Sequence, residues 1–311
     1  MSDASITATE HLSPNQRALR RFIRNKPAAI SMVFLALLFL LVIAWPLIAP
    51  YAYATVTDRQ FQPPSTRHWF GTDVHGRDLM TRVFFGARIS LLVGLVGAFV
   101  AFIIGVTWGA ISGYVGGRWD NIMMRFVDVL YSLPSILFVI VLVATFNDHL
   151  RSTLTKHFGT TAGIYAPMLF LFFGLGAVSW LTMARIVRGQ VLSLRNRQFV
   201  DASRSLGASH ARILWNHILP NIYGIVIVYL TLTVPSIILY ESFLSFLGLG
   251  IQPPMASWGT LIAEGAGQIN PIRIYWWLIV FPCALLITTL LALNFLGDGL
   301  RDAYDPRGDR A

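Results

Sequence analysis

Six stretches of this 311-residue chain contain no Asp, Glu, Lys or Arg: 27–57, 89–117, 129–147, 157–184, 213–240 and 274–297. A helix needs about 20 apolar residues to cross roughly 30 Å of hydrocarbon, and these stretches are of that order. Only 13% of the chain is charged, against about 25% in a soluble domain. This excludes a soluble enzyme, a disordered chain and a disulfide scaffold. It also excludes an outer-membrane barrel, whose strands are short and alternate in polarity. The single cysteine, Cys283, lies inside an apolar run, where it is a small hydrophobe with no internal disulfide partner. The net charge of +9 fits a membrane protein with basic cytoplasmic loops. A nucleic-acid binder would interleave aromatics with arginines, and that pattern is not seen.

The predicted fold is an all-α membrane protein with six spans: 28–48, 89–111, 124–146 with a kink at Pro134, 166–186, 222–247 and 274–296. Segment 1–27 reads as a cytoplasmic tail, with Leu19, Phe22 and Ile23 on one side of a helix and Arg17, Arg20, Arg21 and Arg24 mostly on the other. This is an interfacial pattern. The apolar run after it is too long for a signal peptide. Segment 49–88 is an external loop with turn signals at Pro63-Pro64 and Asp73–Gly76, ending in an amphipathic lead-in. Residues 89–300 form the core, with a long loop at 189–220, and 301–311 form a second tail. Glycine and proline from Gly248 to Gly259 make the second half of 242–263 an ordered loop.

Orientation follows from the basic residues. With both termini on one side, that side carries 16 Lys and Arg and the other carries eight. Both termini are therefore expected in the cytoplasm, in a multi-pass protein of the cell inner membrane.

Chemistry-bearing motifs are scarce. Neither lysine, Lys26 or Lys156, sits in the Gly-Lys-Ser/Thr of a phosphate loop, so no ATP site is expected. None of the glutamates, Glu10, Glu241 and Glu264, follows a histidine as a metalloprotease helix requires. His210 and His217 share a helix face but read as two polar positions, so neither a catalytic nor a metal site is expected. Gly94, Gly97, Gly105 and Gly109 read as close-packing positions.

The most patterned connection runs from Arg195 to Pro220. Phe199, Ala202 and Leu206 fall on one helix stripe. Gly207 suits a left-handed position after that helix. Ser209 can cap a second helix, whose apolar side is Ile213, Leu214, Ile218 and Leu219, and which Pro220 ends. Two short amphipathic helices then form a knob that docks either on its own bundle or on another chain.

Here the residues resemble a family. Phe199-Val-Asp-Ala-Ser-Arg-Ser-Leu-Gly-Ala-Ser209, followed by His217-Ile-Leu-Pro-Asn221, is similar to the "EAA" coupling loop of ABC importer permeases, with Asp201 where Glu is usual and Ser203 where Ala is frequent. Phe70–Leu79, Gly86–Leu91, Glu241–Gly250 and Gly297–Pro306 resemble peptide and nickel importer permeases. Val178–Gly189 is similar to oligopeptide permease C subunits. The resemblance implies a type I ABC importer bundle for peptides, oligopeptides before dipeptides or nickel. It implies a second homologous permease subunit, two ATP-binding subunits that hold ATP and Mg, and an external solute-binding protein. No nucleic acid and no cofactor of this chain's own is expected. The coupling residues would be Phe199, Asp201, Ala202, Ser203, Leu206, Gly207, Ala208, Ile213, Leu219 and Pro220. Two other classes are a passive channel and a secondary transporter; the latter would carry ionisable residues near the midplane, and these spans are almost free of them. Glu241, in the fifth apolar run, is the exception. It either lines the path for a peptide amino group or anchors the outer end of the span, and its place about 19 residues, roughly 28 Å, beyond Ile222 favours the anchor.

Overall fold

The computed structural model describes residues 14–160 and 165–304, which are helical apart from turns, loops and one isolated bridge between Thr72 and Asp78. The helices are α1 (Pro14–Arg24), α2 (Lys26–Ile48), α3 (Leu79–Val115), α4 (Gly117–Ser132), α5 (Ser135–Phe158), α6 (Ala166–Leu194), α7 (Gln198–Ser205), α8 (His210–Phe246), α9 (Trp258–Ala266) and α10 (Trp277–Tyr304). Among the described residues, α2, α3, α5, α6, α8 and α10 are long and apolar enough to cross a membrane.

Spanning helices must be apolar towards both protein and lipid, so the amphipathic signal of a soluble helix is lost. On α2, Leu35, Leu38, Val42 and Trp45 face the bundle, while Ile30, Val33, Leu37, Leu40, Ile43 and Leu47 are exposed. Asn25 starts this helix by accepting the Ala28 N–H, and Asp78 starts α3 by accepting the Thr81 N–H.

The centre is the pair α3 and α6, with α8 across α3, α10 against α8 and α2, and α5 beside α6. Glycines set the closeness of the central pair. A Cβ on Gly105 would meet the Met183 side chain, and one on Gly113 would lie 2.8 Å from the Arg188 carbonyl oxygen. Gly94 receives Ile238 of α8 and Gly97 receives Ile237. The packing role read from Gly94, Gly97, Gly105 and Gly109 is therefore what the structure shows.

Four expectations are corrected. The helix does not kink at Pro134. It stops at Ser132 and restarts at Ser135, with Leu133 extended (φ −81°, ψ 135°), because the residue before proline is pushed out of the helical region. Pro220 does not end a helix. Residues 213–218 form a π-turn, in which the Leu219 N–H bonds the Leu214 carbonyl. That wider turn gives the proline ring room, so α8 runs unbroken from His210 to Phe246. The supposed second short helix of the knob is thus the beginning of a spanning helix. The loop after α8 contains α9, opened by a capping box between Ser257 and Thr260. Finally, the apolar side of α1 is split: Phe22 packs with Ala18, Ala28 and Ala303, while Leu19 and Ile23 face outward.

At the end opposite α7, segment 49–78 folds over the bundle. Asp73 accepts the N–H groups of His75 and Arg77, and the turn closes with Gly76 N–H to the Asp73 carbonyl. Arg82 of α3 reaches both Asp73 (2.7 Å) and Glu264 of α9 (2.9 Å from Nη2 to Oε1).

Candidate functional site

α6 runs on to Leu194 and α8 begins at His210, so the connection proper is 195–209 rather than 189–220, with α7 at its middle. One residue anchors α7. Val200 is fully buried among Val187 and Val191 of α6 and Ile213, Leu214 and Ile218 of α8. α7 ends in a Schellman motif, with Ala208 N–H to the Ser203 carbonyl (3.1 Å) and Gly207 N–H to the Arg204 carbonyl (2.9 Å). Gly207 takes φ +78° there, the left-handed position the sequence suggested. Ser209 Oγ then accepts the Arg212 N–H at 3.4 Å, capping α8.

Polar contacts fix the loop to the end of α3. His210 Nδ1 lies 2.9 Å from the Tyr114 hydroxyl, and Arg195 Nη1 donates to the Gly113 carbonyl at 3.2 Å. Seven residues before Arg195, near the end of α6, Arg188 grips Asp120 of α4 with two bonds, Nε to Oδ1 at 2.6 Å and Nη2 to Oδ2 at 2.7 Å. The Ser112 hydroxyl donates to the same carboxylate. The Arg188 guanidinium, helped by Ser112, holds the Asp120 carboxyl below its ordinary value. A depressed carboxyl stabilises the fold above its ordinary pKa and loses that contribution as pH falls through the folded value.

The other face of α7 is uncovered. Phe199 is 39% exposed and Leu206 88%, and Asp201, Ala202 and Arg204 are exposed beside them. Of the stripe read from the sequence, Ala202 and Leu206 are therefore uncovered and Phe199 is partly covered, while Val200 is the residue that packs on the bundle. Among the other coupling candidates, Ser203 and Ala208 are half-buried, Ile213 is buried in the core, Leu219 is half-buried and Pro220 is exposed. The structure brings Phe199, Asp201, Ala202, Leu206 and Gly207 to one outer surface and places Ile213 behind it.

Glu241 lies in the C-terminal half of α8, fully buried. Ser90 of α3 donates to its Oε2 (2.9 Å) and Ser245 to its Oε1 (2.7 Å). Those hydroxyls are themselves held by backbone from the loop beyond, Trp258 N–H to Ser90 (3.3 Å) and Ile251 N–H to Ser245 (3.1 Å). A carboxyl group buried this way ties α3, α8 and α9 together. Glu241→Gln keeps the shape and an acceptor oxygen, so assembly and uptake should stay near normal. Glu241→Leu strands hydroxyls in the core and should lower stability by about 2 kcal/mol, read by thermal unfolding in detergent. A selective loss of uptake in the Gln variant, with assembly intact, would favour the path-lining role.

No group of three or more His, Cys, Asp or Glu that could hold a metal occurs among the described residues. The six apolar helices, with a capped helix presented outside them, define a multi-pass membrane component. The chain belongs to the family described as the binding-protein-dependent transport system inner membrane component, whose profile matches residues 105–310. A second profile, the N-terminal transmembrane domain of oligopeptide transport permease C, matches residues 13–64. The chain is 45% identical to the oligopeptide transport system permease protein OppC of Haemophilus influenzae, over 94% of this chain and 88% of that one. It is 45% identical to OppC of Escherichia coli strain K12, over 94% and 91%. It is 44% identical to the dipeptide transport system permease protein DppC of Bacillus subtilis, over 98% and 89%. Among solved structures it is similar to an inward-facing form of the MetNI methionine ABC transporter, with a TM-score of 0.53 and 21% identity over 72% of this chain and 97% of that one. That likeness shows the fold. The protein is thus a transport component of the inner membrane, the membrane part of an ABC importer.

Sequence reasoning missed Val200 and the Asp120–Arg188 pair. Val200 sits inside the loop motif but off its recognisable stripe. An acid at the start of α4 and an arginine near the end of α6 are 68 residues apart, and no local pattern links them.

Proposed function

We propose that this chain is a permease subunit of a peptide importer, with oligopeptides as the cargo. Both termini and the 195–209 loop face the cytoplasm, and 49–78 and 248–271 face outward. Two separate ATPase subunits bind and hydrolyse ATP with Mg and dock on Phe199, Asp201, Ala202, Ser203, Leu206, Gly207 and Ala208. A second homologous permease completes the pore, and an external solute-binding protein delivers the peptide. This chain performs no covalent chemistry and holds no nucleotide.

The uncovered stripe on α7 carries this reading. A helix fixed by one buried valine and closed by a Schellman motif is well held, yet among the described residues Leu206 is left almost uncovered on its outer face and Phe199 is only partly covered. Exposed apolar surface on a rigid frame marks an interaction site. The names of the relatives support peptide as cargo, and oligopeptide and dipeptide relatives are near-equal in identity.

Affinity purification of the tagged chain from membranes should bring down two ATPase chains, and Leu206→Asp should release them while the permease remains inserted. A purification free of ATPase would remove the reading. A reporter fused at residue 205 should be active only inside the cell, as the 16-to-8 basic asymmetry requires; activity outside would invert the topology. Competition for uptake between dipeptides and longer peptides decides the cargo, and exclusive inhibition by dipeptides would overturn the oligopeptide choice.

A further inference from the structure

α4 is bounded by two backbone breaks. At its start stand Gly116 and Gly117, the cap and the first residue, both with positive φ (+70° and +60°), and after it stands the extended Leu133 followed by Pro134. Of its 16 residues only Asp120 and Val127 are buried. Trp119, Ile122, Phe126 and Val129, spaced along one side, are exposed. Val127 packs with Trp180, Leu181 and Ala184 of α6, and Trp108 Nε1 donates to the Met123 carbonyl at 3.3 Å. Apolar contact keeps α4 near α6 but is non-directional.

Direction comes from charge. Arg185 bonds Asp128 at 2.7 Å, but the two side chains are 40% and 61% exposed, and an exposed pair contributes little. Arg188 and Asp120 are different. Asp120 is 8% exposed at its side chain, the contact is bidentate, and Ser112 completes it. A two-pronged guanidinium–carboxylate contact fixes orientation as well as distance. Its α6 end is close to α7, because only the turn 195–197 separates the helices and Val200 shares one buried cluster with Val187 and Val191.

We propose that Arg188 is a positioning residue that makes α4 follow α6 and α7, so that movement of the docked loop swings α4 about its two breaks. The inference rests on the docking role of α7. When the ATPases shift α7, α6 carries Arg188 with it, Asp120 is pulled in register, and Gly116–Gly117 and Leu133–Pro134 absorb the change in backbone direction. α5, which begins directly after the second break, inherits the movement. Without the pair, α4 keeps its apolar contact and loses its register, so ATP is spent without transport.

The test uses the complete transporter in liposomes, on a Cys283→Ser background that removes the single native thiol. Spin labels at Ile122→Cys on α4 and Thr182→Cys on α6 read the distance between the helices. In the otherwise native protein the distance should be the same in the nucleotide-free and ATP-trapped states. In Arg188→Gln a second distance should appear, and peptide import should fall about tenfold, within the range of coupling changes seen on breaking such links. ATP hydrolysis should stay within about twofold of the native rate in that variant, since the ATPase sites lie on other chains. Arg188→Lys, which keeps the charge but not the two-pronged contact, should fall between. Native import in Arg188→Gln overturns the proposal. So does a parallel fall of import and hydrolysis, or a native α4–α6 distance that changes between states. If no ATPase accompanies the native chain, the docking reading fails instead; the tie is then judged on the label distances of the native and Arg188→Gln permeases alone, and identical distances overturn it.

Discussion

Gly207→Val should abolish transport while leaving the protein inserted at native levels. The backbone there is left-handed, with φ +78°. A residue with a Cβ pays about 1–2 kcal/mol in that region, and a β-branched one is a genuine outlier there. No other atom lies within 4 Å of where the Cβ would stand, so the penalty is conformational and confined to the end of α7. It falls on the two backbone bonds that close the Schellman motif. Relaxing them turns Leu206 away and opens the path from α7 to the Ser209 cap. The bundle does not depend on this turn, because Val200 and the α8 residues remain packed. Gly207→Asn, which tolerates left-handed dihedrals, should retain most activity. Uptake assays with matched membrane levels measure both variants. Native uptake in the Val variant would mean that the shape of this turn does not matter for docking.

The existence of the spans was legible because a bilayer imposes one crude requirement, a long apolar run, which each of the six stretches met. Their ends were less legible. α3 begins at Leu79, ten residues inside the expected external loop, because Arg82 is paired with Asp73 and Glu264 and can lie buried. α9 was hidden behind a run of glycines and prolines, although Ser257 and Thr260 carried a cap signal. Pro220 misled because a single-residue rule for proline cannot foresee a π-turn that depends on the packing of Ile213, Leu214 and Ile218. In the loop, local signals sufficed wherever the physics is local: the Gly207 turn and the Ser209 cap depend on neighbours in sequence. Which face of α7 is covered depends on α6 and α8, and no periodicity states that. The partners of Glu241 were legible only as a class. A carboxylate in an apolar run needs donors, and its distance along the helix placed them near the outer loop, but Ser90 sits 151 residues away.

Gly109→Leu should give the largest loss of folded protein. At this position α3 and α6 approach backbone to backbone. A Cβ would run into the Ala184 carbonyl oxygen and stand 2.9 Å from Val187 Cβ and 3.0 Å from the Arg188 nitrogen. A side chain in the way could rotate aside; a helix backbone cannot, so the whole helix must move. Overpacking commonly costs about 1–3 kcal/mol and sometimes more, and here the upper end is expected because the two central helices must separate along their length. The consequence is not confined to packing. Val187 belongs to the buried cluster that also holds Val200, and Arg188 is the residue that grips Asp120, so separation loosens the seat of α7 and the tie to α4 together. Gly109→Ala should be intermediate, since one methyl group meets the same obstacle. Gly189→Leu is the control, on the same helix pair but with no atom within 4 Å of its Cβ direction, and it should unfold at the native temperature. Fluorescence-detected size-exclusion and thermal unfolding in detergent read all three. A Gly109→Leu protein that elutes and melts as the native one does would show that α3 and α6 can part without cost, and the central pair would lose its place as the rigid frame of the subunit.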